Sequence, residues 1–270
     1  MVQSTVHDQV LGVIPARFQS SRYPGKALAI LAGKPIIQHV WERTMQAHML
    51  SQVVIATDHE GIAEAARAFG GQVRMTRSDH MSGTDRAAEV AAAFPEAGVV
   101  CNIQGDEPLI DPAAIDIAVG ALLSAGSDVE MATLAKRIER PDEFTNPNVV
   151  KVVSALNGNA IYFSRNPIPY NRAGGAVYFK HVGLYVYRRE FLLAYPSLPV
   201  GPLEKVECLE QLRALENGHA IRVAETGYES LGVDTPEDLE EVSRMMLEAN
   251  SSSPSASVSA SPASRKVPSL

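Results

Sequence analysis

Cysteine, tryptophan and an excess of positive charge are all scarce in this chain. Its 270 residues include 2 cysteines and 1 tryptophan, aromatic residues make up 6%, and 24 lysines and arginines stand against 31 aspartates and glutamates. Cys101 and Cys208 lack metal-ligand spacing, which sets aside a cysteine-held zinc or iron–sulfur centre. Cys101 lies in an apolar run and Cys208 in an amphipathic stretch, so both are expected to be buried, reduced thiols. A net charge of −7 argues against a general nucleic-acid binder. No apolar run approaches the roughly 20 residues of a membrane span. Residues 1–9 have no basic region and no apolar core of a secretory leader, so a soluble, cytoplasmic protein is expected. The P-loop pattern G-x-x-x-x-G-K-[ST] does not occur, and no G-x-G-x-x-G follows the first strand.

What is present is a local concentration of cations in an acidic chain. Residues 13–26, VIPARFQSSRYPGK, run from a short apolar strand into a loop carrying Arg17, Arg22 and Lys26, with Ser20, Ser21 and the backbone around Gly25 as further donors. Several fixed cations and many donors on a closely approaching backbone suit a triphosphate. The plain alternative is a basic surface loop.

Hydrophobic residues make up 46% of the sequence, enough for a substantial core. Strands are expected at 10–15, 52–57, 72–76 and 99–104. Between them come helices at about 35–48, after a cap at Asp58, and from the capping-box pair Ser82 and Asp85. Asp111-Pro112 opens another helix. This alternation predicts an α/β fold: a mostly parallel, doubly wound, nucleotide-binding sheet with right-handed crossovers. Residues 128–200 change character and read as a smaller β-rich excursion. A strand is expected at 128–138, a hairpin at 149–165 around Asn157-Gly158, and another strand at 179–187. A helix over about 202–217, a strand at 219–225 and a helix from about 235 complete a single domain of residues 1–250. Residues 251–270, rich in Ser, Pro and Ala, are expected to be a disordered tail.

In such sheets ligands bind beyond the carboxyl ends of the strands. Asp106, in QGDEP after the fourth strand, is not needed as a helix cap because Asp111 fills that role. Asp234 is likewise left over in GVDTPED, where Thr235, Pro236 and Asp238 account for the helix start. Two spare carboxylates at strand ends beside a cationic loop suit magnesium, which favours one or two carboxylates with phosphate oxygens and water. A second hydrogen bond to the helix start is the plain reading of Asp234. Ser82, Gly83 and Thr84 offer short side chains and open backbone to a base or ribose, and Gln104 offers both a donor and an acceptor to a pyrimidine edge. For an acidic acceptor, Arg165, His181, Tyr185, Glu210 and Gln211 are candidates, Arg165 for a carboxylate. His181 could equally be an ordinary strand residue, and Glu207 and Glu210 solvated helix positions.

Taken together, IPARFQSSRYPGK, ATDH, MTRSDHMSGTDR, NIQGDEP, NPNVVKVV, YFSR, KHVGLYVY, VECLEQLR and GVDTPEDLE resemble the 3-deoxy-manno-octulosonate (Kdo) cytidylyltransferases, also called CMP-Kdo synthetases. They run in order up to about residue 247. The resemblance implies a nucleotide-diphospho-sugar transferase-like fold. It also implies transfer of CMP from CTP to the anomeric hydroxyl of Kdo with release of pyrophosphate, in lipopolysaccharide biosynthesis. A magnesium-dependent, cytoplasmic homodimer follows from it, with CTP and Kdo as small-molecule partners and neither nucleic acid nor membrane. By the same resemblance Arg17, Ser20, Arg22 and Lys26 would hold the triphosphate, and Arg77, Ser82 and Gln104 the cytidine. Asp106 and Asp234 would hold magnesium; Arg165, His181, Tyr185, Glu210 and Gln211 would line the Kdo site. Lys26, Arg17, Arg22, Asp106 and Asp234 would form the catalytic set. Residues 166–179 are compact compared with some relatives. A cytidylyltransferase for another acidic sugar, such as a sialic acid, is the nearest alternative. A nicotinamide oxidoreductase and an inactive nucleotide sensor fit the loop less well.

Overall fold

The first strand sets the architecture. In β1 (Gln9–Pro15) every residue from Val10 to Ile14 is buried. Val10 and Ile14 pack on one side of the sheet, Leu11 and Val13 on the other. A strand apolar on both faces needs cover on both faces, which is the demand a doubly wound sheet meets. The computed structural model describes residues 9–19 and 22–251. Ser20, Ser21 and the tail from 252 onward, for which a triphosphate contact and disorder were expected, lie outside the described residues.

After β1, a two-stranded hairpin of β2 (Ile30–Leu31) and β3 (Lys34–Pro35) leads into α1 (Ile36–Thr44). The chain continues through β4 (Gln52–Thr57), α2 (Glu60–Ala68), β5 (Gln72–Met75), α3 (Gly83–Ala92), β6 (Ala97–Asn102) and α4 (Pro112–Leu123). Next come β7 (Val129–Arg137), α5 (Pro141–Thr145), β8 (Lys151–Ser154), β9 (Ala160–Ser164) and β10 (Phe179–Arg188). The last elements are α6 (Arg189–Ala194), α7 (Pro202–Glu207), α8 (Leu212–Glu216), β11 (Ala220–Glu225) and α9 (Pro236–Ser251).

The strands form one nine-stranded sheet in the order β11-β7-β10-β6-β1-β4-β5, with β8 added on β10 and β9 on β8. β6, β1, β4 and β5 are mutually parallel, and β11 is parallel to β7. Only β10 interrupts this body, running antiparallel to both β6 and β7. The expected mostly parallel, doubly wound sheet is therefore present. β7 and β10 lie inside the main sheet, and the β8–β9 hairpin projects from it. α1, α2 and α4 cover one face through Ile36, Ile37, Val40, Ile62, Ile115 and Val119. α3, α6 and α8 cover the other through Ala87, Val90, Phe191 and Leu212. Among the described residues no helix is long and apolar enough to cross a membrane.

Two local expectations are corrected. Asp58 does not cap α2: His59 occupies the N-cap position without a side-chain bond, and Asp58 Oδ2 accepts from Arg86 Nη2 at 2.9 Å. Arg86 is 3% exposed. Leaving that guanidinium buried without a counter-charge costs more than a surface cap contributes, so the carboxylate goes to the arginine. The helix expected over 202–217 is broken between α7 and α8, with Cys208 in the left-handed conformation at φ 51°. At the break Arg165 Nε donates to the carbonyl of Glu207 at 2.8 Å and its Nη2 to that of Cys208 at 3.4 Å, supplying partners for carbonyls that the interrupted helix leaves open. Cys208 is exposed as a result, not buried, while Cys101 is buried as expected. Burial pushes the Cys101 thiol well above its ordinary range.

The ends of β1 and β6 meet closely at Gly105, just after β6. A Cβ there would come within 2.4 Å of the Pro15 carbonyl oxygen at the end of β1. Gly105→Ala is expected to destabilise the fold by about 1–3 kcal/mol through forced separation of these ends. Urea unfolding of the variant beside the wild type measures this, and an unchanged midpoint would contradict the close approach.

Candidate active site

The cleft at the carboxyl ends of β1, β5 and β6 encloses about 230 Å³. Its walls come from the β1 loop (Arg17, Arg22, Lys26), the turn into α3 (His80, Ser82, Gly83, Arg86), the β6 loop (Gln104, Gly105, Asp106) and Asp234. The segments are fixed in different ways. The β1 loop folds back on itself through a bond from Gly25 N to Phe18 O at 2.8 Å. Phe18 stacks on His59 with ring centroids 4.0 Å apart. The α3 turn carries a full capping box, Ser82 Oγ accepting from Asp85 N at 3.1 Å while Asp85 Oδ2 accepts from Ser82 N at 3.2 Å. Asp234 is held by its own N–H, which donates to Asp238 Oδ2 at 2.9 Å at the start of α9.

At the centre, Lys26 Nζ donates to Asp106 Oδ2 at 2.5 Å and to Asp234 Oδ1 at 2.9 Å. Arg22 Nη2 pairs with the other oxygen of Asp234 at 2.8 Å. The two aspartates expected to share one ion therefore converge on one cation. Burial of the Lys26 ammonium works against its charge, but Asp106 and then Asp234 outweigh it and hold its pKa above the ordinary value. Burial likewise opposes ionisation of Asp234, and Lys26 with Arg22 overcomes it, leaving that carboxyl below the usual carboxylate range. Arg17 is exposed at the mouth of the cleft.

The cytidine candidates fare unevenly. Ser82 and Gln104 line the cleft, Gln104 with its amide nitrogen on the Gly183 carbonyl at 2.9 Å. The Arg77 side chain is exposed and pairs with Asp79 at 3.2 Å instead of lining the cleft. His80 and Arg86 were missed. His80 is tied to Glu89, and Arg86 to Asp58, Thr76 and the Arg77 carbonyl. Their signal was available in part: Arg86 follows the capping box by one residue, on the helix turn that faces the sheet.

Four of the five acceptor candidates form one connected group beside the cleft. A bulge in β10 between Val182 and Tyr185 turns successive carbonyls in different directions. Gly183 receives Gln104, while Val182 and Leu184 face the Thr133 hydroxyl at 3.1 and 2.9 Å. The single Thr133 proton goes to a carbonyl, so His181 Nε2, 2.9 Å away, is left to donate to Thr133 Oγ1. His181 lies edge-on to Phe163 and near Tyr185, with ring centroids 5.1 and 5.4 Å away. Burial depresses its pKa to about 4. Tyr185 Oη donates to Gln211 Oε1 at 3.2 Å, and Gln211 Nε2 is buried with no partner. Glu210 Oε1 accepts from Ser82 Oγ at 3.2 Å, and burial raises its carboxyl above the ordinary value. Arg165 stands at the edge of this group, donating to the carbonyls of Glu207, Pro147 and Cys208. Glu207 accepts from Ser164 Oγ at 2.6 Å and Arg165 N at 2.9 Å, so it is an anchor and not a solvated helix residue.

A cationic, carboxylate-bearing cleft at the strand ends of a mostly parallel sheet is the layout of an α/β nucleotide-handling enzyme. The family model described as "Cytidylyltransferase" matches residues 11–222. A 3-deoxy-manno-octulosonate cytidylyltransferase of Solibacter usitatus is 64% identical over 239 residues, covering 88% of this chain and 94% of that protein. One of Geobacter sulfurreducens is 54% identical over 245 residues, covering 86% and 97%. Among solved structures, a CMP:2-keto-3-deoxy-manno-octonic acid synthetase complexed with CTP aligns with TM-score 0.86 and 44% identity over 89% of this chain and 99% of that one. A Leptospira borgpetersenii cytidylyltransferase, 18% identical with TM-score 0.62, shares the fold over 90% of this chain and 88% of its own. The chain belongs to the cytidylyltransferase family, in the branch of 3-deoxy-manno-octulosonate cytidylyltransferases.

The depressed His181 pKa gives a pH dependence with a definite sign. The unfolded chain takes up this proton near 6.5 and the folded one only near 4. The contribution of the neutral buried ring is therefore complete above pH 6.5 and lost as pH falls toward 4. Urea unfolding across that window is expected to show a steeper loss for the wild type than for His181→Gln. Parallel curves would mean that the imidazole is not held neutral.

Proposed function

We propose that this protein transfers CMP from CTP to the anomeric hydroxyl of Kdo, releasing pyrophosphate. The observation that carries the reading is the Lys26 ammonium seated between Asp106 and Asp234, in a cationic cleft that adjoins the His181–Tyr185–Gln211–Glu210 group. Arg17, Arg22 and Lys26 would offset charge on the triphosphate and on the departing pyrophosphate. Ser82 and the Gln104 side-chain oxygen would contact the cytidine. The unpartnered Gln211 amide, Tyr185 and Glu210 offer hydroxyl contacts to the sugar, and the donors Arg165 leaves unused offer a carboxylate partner.

The two aspartates fit a magnesium ion. They already hold one cation jointly, and the ion would replace the ammonium between them, releasing Lys26 toward phosphate. Among the described residues no three or more His, Cys, Asp or Glu side chains form a metal cluster. Phosphate oxygens and water would then complete the shell, a composition magnesium accepts. Bound there, magnesium supplies phosphate polarisation and a lowered pKa for the attacking hydroxyl. The residues themselves align that hydroxyl with the α-phosphorus for in-line displacement, and no covalent enzyme intermediate is required. A cytoplasmic location and a homodimer complete the proposal, with residues 128–200 at the interface. The exposed Leu156, Ile161 and Tyr170 of that region support the second part.

Incubation with labelled CTP and magnesium, with Kdo and a sialic acid as parallel acceptors, tests the reading. CMP-Kdo is the expected product, and turnover of sialic acid alone would reassign the acceptor. Asp106→Asn is expected to lower kcat by about 10²–10³ with an unchanged circular-dichroism spectrum. Near-normal activity of that variant, or full activity in excess chelator, would refute the metal role.

A further inference from the structure

Glu107, next to Asp106, is 6% exposed, yet it points away from the cleft. Its two oxygens accept from Tyr228 Oη at 2.7 Å and Ser230 Oγ at 2.6 Å. Both hydroxyls belong to the segment between β11 and Asp234. A third link crosses the same gap, from Val233 N to the Asp106 carbonyl at 2.8 Å. Tyr228 and Val233 are themselves buried in the core, at 8% and 0% exposure. The two aspartates thus extend from loops that are stitched together directly behind them. A helix-capping or surface role is excluded for Glu107, because both of its acceptors are committed across the gap.

We infer that Glu107, Tyr228 and Ser230 form a positioning clasp that sets the separation of Asp106 and Asp234, and through it the affinity of the site for its divalent cation. This rests on the metal role proposed above. The alternative is a polar network that supports folding alone. The two differ in what they move: a folding network changes stability, whereas a positioning clasp changes cation affinity in protein that remains folded.

The test measures Mn2+ binding to the enzyme–CTP complex by electron paramagnetic resonance, with thermal unfolding of each variant alongside. Glu107→Ala is expected to weaken Mn2+ binding and raise the half-saturating Mg2+ concentration for turnover by about tenfold or more. The KM for CTP at saturating Mg2+ should stay near the wild-type value. Tyr228→Phe removes one link with little change of shape and should weaken Mn2+ binding less. Glu107→Gln can accept from one hydroxyl and donate to the other, so it should restore most of the affinity. If Glu107→Ala does not fold, Tyr228→Phe and Ser230→Ala carry the test. Wild-type Mn2+ affinity in the folded variants overturns the clasp, and so does a loss of stability without a change in affinity. Asp106→Asn separates the two levels. If it abolishes Mn2+ binding while the clasp variants do not, the metal reading stands and the clasp falls. If it too leaves binding intact, the metal reading fails and takes the clasp with it.

Discussion

The arrangement turns on one ammonium group held by two carboxylates from distant parts of the chain. Lys26 reaches Asp106 across 80 positions and Asp234 across 208. Both carboxylates touch the same nitrogen, so their negative charges lie close enough to repel each other. The ammonium between them offsets that repulsion, and Arg22 on the outer oxygen of Asp234 adds to the same effect. Under the proposed metal role, a magnesium ion held by the same two carboxylates would leave the Lys26 ammonium free for phosphate.

Backbone packing brings these groups within range. β1 lies between β6 and β4, so the cationic loop after β1 and the acidic loop after β6 leave the sheet side by side. Gly105 permits the contact, since the Pro15 carbonyl occupies the space a Cβ would need. The antiparallel insertion of β10 next to β6 then carries the acceptor group to the same edge. Its bulge at Gly183 gives Gln104 a carbonyl to hold, so the sheet irregularity also orients a cleft residue.

Much of this was legible in the sequence because the signals are local. The capping boxes at Ser82–Asp85 and Thr235–Asp238 and the Asp111-Pro112 start all depend on residues within four positions of one another, and all three form. Assigning those caps first is what left Asp106 and Asp234 unexplained and so marked them for the site. The misreadings share the opposite property. Asp58 leaves its helix for Arg86, and the 202–217 helix is interrupted where Arg165 meets its carbonyls, each involving a partner that local periodicity does not reveal. Glu107 stands out in QGDEP beside Asp106, but its role is not readable from the sequence for the same reason, since its partners lie more than a hundred positions away.

Ser82 shows how closely the two halves of the site are joined. Its hydroxyl has one proton and two lone pairs. The proton goes to Glu210 at 3.2 Å and one lone pair to the Asp85 N–H at 3.1 Å, which leaves a single acceptor position for a nucleotide. Glu210 stands in the group beside the cleft, and its backbone carbonyl accepts from Tyr195 Oη at 2.7 Å, which fixes the main chain from which the carboxylate reaches Ser82. A sugar hydroxyl arriving at Glu210 would compete for the oxygen that Ser82 now uses and would return the serine proton to the nucleotide side. The same hydroxyl that starts α3 thus links the cleft to the His181–Tyr185–Gln211–Glu210 group, so under the proposed assignment a change in the partners of Glu210 changes what Ser82 offers in the cleft.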